Sequence, residues 1–128
     1  MRNPFSRLLS PRQAQGRDAE NLARSFLESR GLSFRAANAA TPRGEVDLVM
    51  DDGETVVFVE VRARTSTAFG APAETVTPAK QRRIAQAALA YVKGNGLTRR
   101  PLRFDIVAVH DGVCEHLPNA FVPAGFFL

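Results

Sequence analysis

The chain of 128 residues has few of the features that mark secreted, disulfide-rich or membrane-spanning proteins. It contains one cysteine, Cys114, so no intrachain disulfide can form, and it contains no tryptophan. No apolar run approaches the ~20 residues of a membrane-spanning helix, and residues 1–9 have no apolar stretch long enough for a signal peptide. We therefore expect a cytoplasmic protein with no membrane partner.

Apolar residues make up 45% of the chain, which argues against disorder and allows a single domain of this length to bury a core. Basic residues outnumber acidic ones by 17 to 13, which gives a net charge of +4. A polyanionic partner and the codon usage of a GC-rich genome explain this excess equally well. The positions of the charges must decide between them.

Hydrophobic periodicity predicts a helix over residues 11–30 that ends at Gly31, followed by a first strand over 32–37 and a loop over 38–44. Further strands are expected over 45–50, 55–64, 102–110 and 113–117. A second helix is expected over 78–93, with Thr77 as its N-cap. The crossover through this helix implies one parallel pair of strands in an otherwise antiparallel sheet.

The hairpin between the second and third strands brings acidic residues together. Asp52-Gly53 is a strong two-residue turn signal, and a turn there pairs Glu45 with Glu60. Asp47 and Glu60 are then diagonal neighbours, roughly 7–8 Å apart at the backbone. Strand alternation puts four charged residues on one face, Glu45, Asp47, Glu60 and Arg62, and three apolar residues on the other, Val46, Leu48 and Met50.

Carboxylates this close repel each other unless a positive charge neutralises them. Mg²⁺ typically binds one or two carboxylates and keeps several waters for a phosphate substrate. Water activated in this way can attack a phosphodiester, and Arg62 is placed to offset the developing charge. The alternative is a solvated polar face on which Arg62 pairs with Glu60. Phe58 on the same face, and the cost of an unpaired Glu60 in an apolar strand, weigh against it.

Three segments resemble the YraN family of poorly characterised bacterial proteins: GEVDLV at 44–49, VFVEVRAR at 57–64, and Phe69-Gly70 with Lys80-Gln81. The family is similar to the PD-(D/E)XK, restriction-endonuclease-like superfamily, close to archaeal Holliday junction resolvases. The similarity runs over residues 16–109. It implies an α/β fold with a helix–three-strand meander–helix–strand core and a mixed central sheet flanked by helices.

The resemblance implies that Asp47 and Glu60 are catalytic metal ligands for Mg²⁺ or Mn²⁺, and that Glu45 assists beside them. The resemblance also implies that Glu20, on the first helix, is an acidic metal ligand. Alternatively, Glu20 only stabilises the start of that helix. The superfamily's lysine, two residues after the second acid, is Arg62 here. Because arginine stays protonated, Arg62 acts in catalysis only by orienting groups or stabilising charge.

Basic residues form three clusters that we expect to ring the acidic pocket: Arg2, Arg7, Arg12 and Arg17; Lys80, Arg82 and Arg83; Arg99, Arg100 and Arg103. Each cluster alone is also consistent with a solvated face. The residues expected to bind DNA phosphates are Arg64, Lys80, Gln81, Arg82 and Arg83.

The sequence thus predicts a metal-dependent endonuclease that hydrolyses DNA phosphodiester bonds at branched or damaged DNA. The alternatives are a DNA-structure-binding module with little or no catalysis, and a subunit whose pocket serves another protein. We expect a basic N-terminal segment over 1–15, a nuclease-like domain over 16–117 and an apolar tail over 118–128. The tail either folds back over the sheet or docks on a second copy in a homodimer.

Overall fold

The computed structural model describes residues 11–63 and 76–123, and within those ranges the side chains from residue 18 onward. Neither helix in this part of the chain is long and apolar enough to cross a membrane. Seven elements follow one another: α1 (Pro11–Ser29), β1 (Ser33–Thr41), β2 (Gly44–Asp52), β3 (Thr55–Ala63), α2 (Pro78–Gly94), β4 (Leu102–His110) and β5 (Val113–Leu117).

The five strands form one mixed sheet in the order β1-β2-β3-β4-β5. β3 and β4 run parallel, and the other three neighbouring pairs are antiparallel. Parallel neighbours cannot be joined by a tight turn, and α2 lies in the crossover between them. The order helix, three strands, helix, strand confirms the mixed α/β architecture expected for a restriction-endonuclease-like core.

The sheet is covered by a helix on each face. On one face α1 packs Ala19, Ala23 and Leu27 against a cluster that includes Leu48, Met50, Val57, Val59 and Val107. On the other face α2 packs Ile84, Ala87, Ala88 and Val92 against a cluster that includes Val49, Val56, Phe58, Phe104 and Ile106. Because β3 is buried on both faces, its sequence is a nearly continuous β-branched and aromatic run.

The first strand is longer than the sequence predicts. β1 continues to Thr41 because Ala39, Ala40 and Thr41 pair with the first residues of β2. The expected loop over 38–44 therefore shrinks to the two turn residues 42 and 43. Alanine is a weak local signal for a strand, so it is the pairing with β2 that sets this boundary.

The register of the β2–β3 hairpin differs from the predicted one by two residues. Asp52 pairs with Thr55, so the turn consists of Gly53 and Glu54. Gly53 has a φ of 60°, the positive value that a type II′ hairpin turn needs at its first central position. The predicted Asp52-Gly53 turn and the pairing of Glu45 with Glu60 are therefore wrong. Because the register shift is an even number of residues, the side chains next to the turn stay on the face of the sheet that the sequence predicts.

The sequence predicts that Val46 shares a face with Leu48 and Met50, and this prediction is wrong. Val46 packs in the cluster beneath α2, whereas Leu48 and Met50 pack beneath α1. The reason is that the pairing of β2 with β3 ends at Leu48–Val59, and beyond that point β2 follows β1 alone. Strict alternation fails where a strand leaves its neighbour.

The segment after β5 folds back over the sheet. The N–H of Ala120 donates to the carbonyl of Phe104 over 2.8 Å, and the rings of Phe121 and Phe104 stack with centroids 5.4 Å apart. The N–H of Asn119 donates to Oδ1 of the buried Asp105 over 2.9 Å. The fold-back alternative is therefore confirmed for residues 118–123, and the rest of the tail, 124–128, lies outside the described residues.

Candidate functional site

The sheet forks between β2 and β3. Pairing of the two strands ends at Leu48–Val59, although β2 stays paired with β1 as far as Gly44, and β3 stays paired with β4 as far as Ala63. Asp47 and Glu60 are the next residues along the two separating strands. One carboxylate therefore stands on each branch of the fork.

Asp47 is held in the fork by the backbone of β3. Its Oδ2 accepts a hydrogen bond of 2.9 Å from the N–H of Val61. Burial raises the pKa of Asp47 from 3.8 to about 7, and the negative charges of Glu60 and Glu20 and a hydrogen bond with Glu60 act in the same direction. The bond from Val61 opposes this rise. Asp47 therefore titrates near neutral pH in the protein without a bound cation, where an ordinary aspartate is fully ionised.

Glu60 carries the ion pairs of the site. Its Oε1 lies 2.8 Å from Nζ of Lys80 and 3.6 Å from Nη1 of Arg62, and its side chain is only 13% exposed. A carboxylate this deeply buried is costly unless it is paired. One partner comes from β3 itself and the other from α2, so the two elements converge on the same oxygen.

The first turn of α2 fixes Lys80 beside the fork. Thr77 caps the helix, because its side chain accepts a hydrogen bond of 3.2 Å from the N–H of Lys80. Pro78 occupies the start of the helix, where its missing N–H costs nothing. The amide of Gln81 donates to the carbonyl of Val76 over 3.1 Å, and Ile84, one turn further on, packs in the core.

A cleft of about 410 Å³ opens over the fork. Its exposed charged residues are Arg43 from the β1–β2 turn, Arg83 from α2 and Glu45, and we call Arg43 and Arg83 its basic rim. The lining residues are Arg43, Gly44, Glu45, Asp47, Glu60, Lys80, Arg83 and Ile84. The exposed arginines Arg43 and Arg83 can therefore attract an anionic group to the mouth of the cleft.

Five of the ten predicted site residues line this cleft: Glu45, Asp47, Glu60, Lys80 and Arg83. Glu45 lines it and is exposed, and Glu20 is half-buried on α1 and close enough to raise the pKa of Asp47. Within the described ranges, however, no group of three or more His, Cys, Asp and Glu side chains is arranged to hold a metal ion. The acidic centre that the structure describes is thus the pair Asp47 and Glu60, with Glu20 acting at longer range.

The predicted DNA-binding residues divide into three groups. Arg82 and Arg83 are exposed on α2, and Arg83 lines the cleft. The amide of Gln81 donates to the carbonyl of Val76 just before the helix, and Lys80 is engaged with Glu60. Arg64 lies outside the described residues.

The basic cluster 99–103 is expected from the sequence to ring the pocket, and this expectation is wrong. The cluster lies near the start of β3, at the opposite end of the sheet from Glu60, because the carbonyl of Pro101 accepts the N–H of Val56. There Arg100 pairs with Asp51 over 3.5 Å, and Arg103 pairs with Asp52 over 2.8 Å. Local carboxylates therefore satisfy these arginines. The side chains of Arg2, Arg7, Arg12 and Arg17 lie outside the described residues.

Sequence reasoning missed Arg43. The signal that marks it is its position in the turn directly before Gly44-Glu45, next to the acidic strand. It missed the Lys80–Glu60 contact for a different reason, because no local pattern relates two residues 20 positions apart on a helix and a strand.

The protein is thus a mixed α/β protein, consistent with a nuclease-like core, in which an acidic pair and basic side chains line one cleft. Residues 19–109 match the model of the uncharacterised protein family UPF0102. A UPF0102 protein of Anaeromyxobacter dehalogenans (strain 2CP-C) is 51% identical over 114 residues, which cover 86% of this chain and 85% of the relative. UPF0102 proteins of Bordetella avium (strain 197N) and Yersinia pseudotuberculosis serotype O:1b (strain IP 31758) are 44% and 47% identical, over 91% and 83% of this chain and 80% and 92% of their own lengths.

The chain therefore belongs to UPF0102, the YraN family. This confirms the resemblance found in the sequence.

Proposed function

We propose that this chain is a metal-dependent endonuclease that hydrolyses phosphodiester bonds in DNA, at branched or damaged sites. The observation that carries the proposal is the pair of Asp47 and Glu60 facing each other across the fork. The basic rim at Arg43 and Arg83 supports a polyanionic substrate.

The donor set of the fork fits a hard divalent cation. Two carboxylates with room for water match the one or two carboxylates that Mg²⁺ usually takes from a protein. Burial and the charge of Glu60 raise the pKa of Asp47, so a cation bound between the two acids would favour the ionised form of Asp47. Asp47 and Glu60 would hold the ion. When bound, Mg²⁺ or Mn²⁺ supplies an activated water and offsets negative charge on the phosphate.

The chain's own residues do the remaining work. The N–H of Val61 fixes the orientation of Asp47, so this ligand does not have to be ordered when a cation binds. Arg62 offers a fixed positive charge beside Glu60 for the charge that develops on the phosphate. Arg43 and Arg83 hold neighbouring phosphates at the mouth of the cleft.

A second candidate is a DNA-structure-binding module with little or no catalysis. Arg62 is the observation that favours it. A guanidinium stays charged and exchanges no proton with a nucleophilic water. An arginine two residues after Glu60 therefore preserves DNA binding better than it preserves cleavage.

The test is incubation of the protein with a four-way junction, a flap, single-stranded DNA and duplex DNA, each with Mg²⁺, Mn²⁺ or EDTA. We expect metal-dependent cleavage of one branched substrate, and a loss of about 100-fold or more in Asp47→Asn and Glu60→Gln. Both replacements keep the shape of the side chain and remove its charge. Glu54→Gln in the exposed β2–β3 turn is the matched control and should cleave like the wild type.

The outcomes separate the two candidates. Junction binding at low salt without cleavage under any metal favours the binding module. Cleavage that survives in Asp47→Asn contradicts the assigned site, and absence of both binding and cleavage contradicts any role on DNA.

A further inference from the structure

The shorter of the two ion pairs at Glu60 is made by α2 and not by the strand that carries Glu60. Nζ of Lys80 lies 2.8 Å from Oε1, whereas Nη1 of Arg62 lies 3.6 Å from the same atom. The Lys80 side chain is 29% exposed, so it reaches from solvent into the fork. Lys80 is thus the closest positive charge to the acidic pair in the described part of the chain.

A lysine at this position is unfavourable for the helix itself. Lys80 lies in the first turn of α2, which contains no acidic residue. The N-terminal end of a helix carries a partial positive charge, which repels a cation and attracts an anion. Glu60 compensates for this in the present arrangement. The first turn of α2 would serve an anion in the cleft equally well.

A divalent cation bound at Glu60 competes with Lys80 for the negative charge of the same carboxylate and repels the ammonium group. The ion pair between Lys80 and Oε1 therefore weakens when Glu60 becomes a metal ligand. The flexible stem and point charge of Lys80 allow it to swing without moving the helix. A substrate phosphate bound in the cleft beside Arg83 would offer the released lysine a new anionic partner.

We propose that Lys80 is an exchangeable counter-ion: it pairs with Glu60 in the cation-free protein and contacts the scissile phosphate of the substrate in the loaded protein. α2 thereby supplies the lysine that β3 lacks at Arg62. This inference rests on the proposed function for its second half, whereas the exchange at Glu60 does not require cleavage.

The test compares Mn²⁺ affinity and cleavage in the full-length chain. We expect Lys80→Met to bind Mn²⁺ about tenfold more tightly than the wild type, because a competing positive charge at the ligand is gone. The same variant should lose about 100-fold in kcat on the branched substrate, with KM changed by less than about threefold. Tighter metal binding combined with lost turnover is the signature of a counter-ion, since a damaged site would lose both.

The chain offers a matched control, because Lys93 is its only other lysine and lies at the far end of α2. Lys93→Met removes the same charge and should leave Mn²⁺ affinity unchanged. Lys80→Arg keeps the charge and should bind Mn²⁺ like the wild type.

Calorimetry of Mn²⁺ binding decides the exchange. Weaker or unchanged Mn²⁺ binding in Lys80→Met, or no Mn²⁺ binding in either protein, overturns the proposal. Tighter binding in a protein whose wild type cleaves nothing supports the exchange and contradicts the endonuclease function. Full cleavage by Lys80→Met overturns the assignment of Lys80 to the phosphate.

Discussion

The N–H of Val61 donates to Oδ2 of Asp47 over 2.9 Å, at the point where an unforked sheet would join the two strands backbone to backbone. A side chain of β2 thus completes the hydrogen bonding of β3. The arrangement holds a carboxyl group in a buried position, where its pKa rises to about 7. Several consequences of this site can be measured.

Asp47→Asn should stabilise the metal-free protein at pH 8 by about 2 to 4 kcal/mol. The pKa of Asp47 is raised in the folded state, so the native protein binds more protons than the unfolded chain between about 4 and about 7. Stability contributed by this group is therefore present at low pH and lost as the pH rises through that window. Asparagine mimics the protonated acid, since it still accepts from Val61 and donates to Glu60.

Urea denaturation in EDTA at several pH values measures this effect. The gap between the variant and the wild type should close as the pH falls toward about 4, and Glu54→Gln should show no such gap. A gap independent of pH would mean that Asp47 is ionised throughout the range.

DNA binding should weaken with salt through contacts at the cleft rim. Replacing both Arg43 and Arg83 by alanine should reduce the slope of log K against log salt concentration by about 2, because each lost phosphate contact contributes about 0.9. Fluorescence anisotropy with a labelled junction in EDTA measures the slope.

The matched control for this experiment removes two exposed arginines at the other end of the sheet, Arg30 and Arg99. It lowers the net charge by the same amount. If the control flattens the slope as much as the rim variant does, DNA is not bound at this cleft.

Asp105→Asn should cost about 3 kcal/mol of unfolding free energy. The carboxylate of Asp105 is fully buried, and it accepts two hydrogen bonds of 2.9 Å from Arg103 and lies 2.7 Å from Nε2 of His116. Loss of its charge leaves Arg103 with only Asp52 as a partner. Chemical denaturation at pH 7 gives the cost, and Asp111→Asn in the exposed β4–β5 turn should change it by less than about 0.5 kcal/mol.

We propose that the apolar end of the tail joins two copies of the chain, since cutting two strands of a junction suits a symmetric pair. Val122 is 49% exposed, whereas Phe121 just before it is held on Phe104. Deletion of residues 124–128 should therefore lower the mass measured by light scattering at micromolar concentration and leave the melting temperature nearly unchanged. A wild type that is already monomeric contradicts the idea.

Most of the fold could be predicted because its signals are local. The capping threonine and Pro78 mark the start of α2, Gly94 marks its end, and the β-branched run of β3 and the Asp111-Gly112 turn delimit the strands. The bounds of β4 and β5 agree with the structure for this reason. The acidic face of the hairpin followed from parity, which survives any even error in register.

What the sequence could not give depends on contacts between distant residues. The fork arises because β2 and β3 follow different neighbours beyond Leu48–Val59, and no pattern within either strand records this. The same holds for Lys80, whose position in a basic cluster suggests a phosphate contact but whose nearest partner is an acid on another element. Arg99, Arg100 and Arg103 look alike in the sequence, and only tertiary structure provides the carboxylates that bind Arg100 and Arg103.

Asp47 and Glu60 belong to different halves of the sheet. Asp47 belongs to the β1–β2 ribbon, and Glu60 belongs to the layer formed by β3, β4 and β5. The separation of the two carboxylates is therefore set by the angle at which these halves meet. Leu48 and Val59 are the last residue pair that joins β2 to β3, and they fix this angle. A change of side-chain volume at Leu48 or Val59 should therefore alter the spacing of the two acids without touching either one.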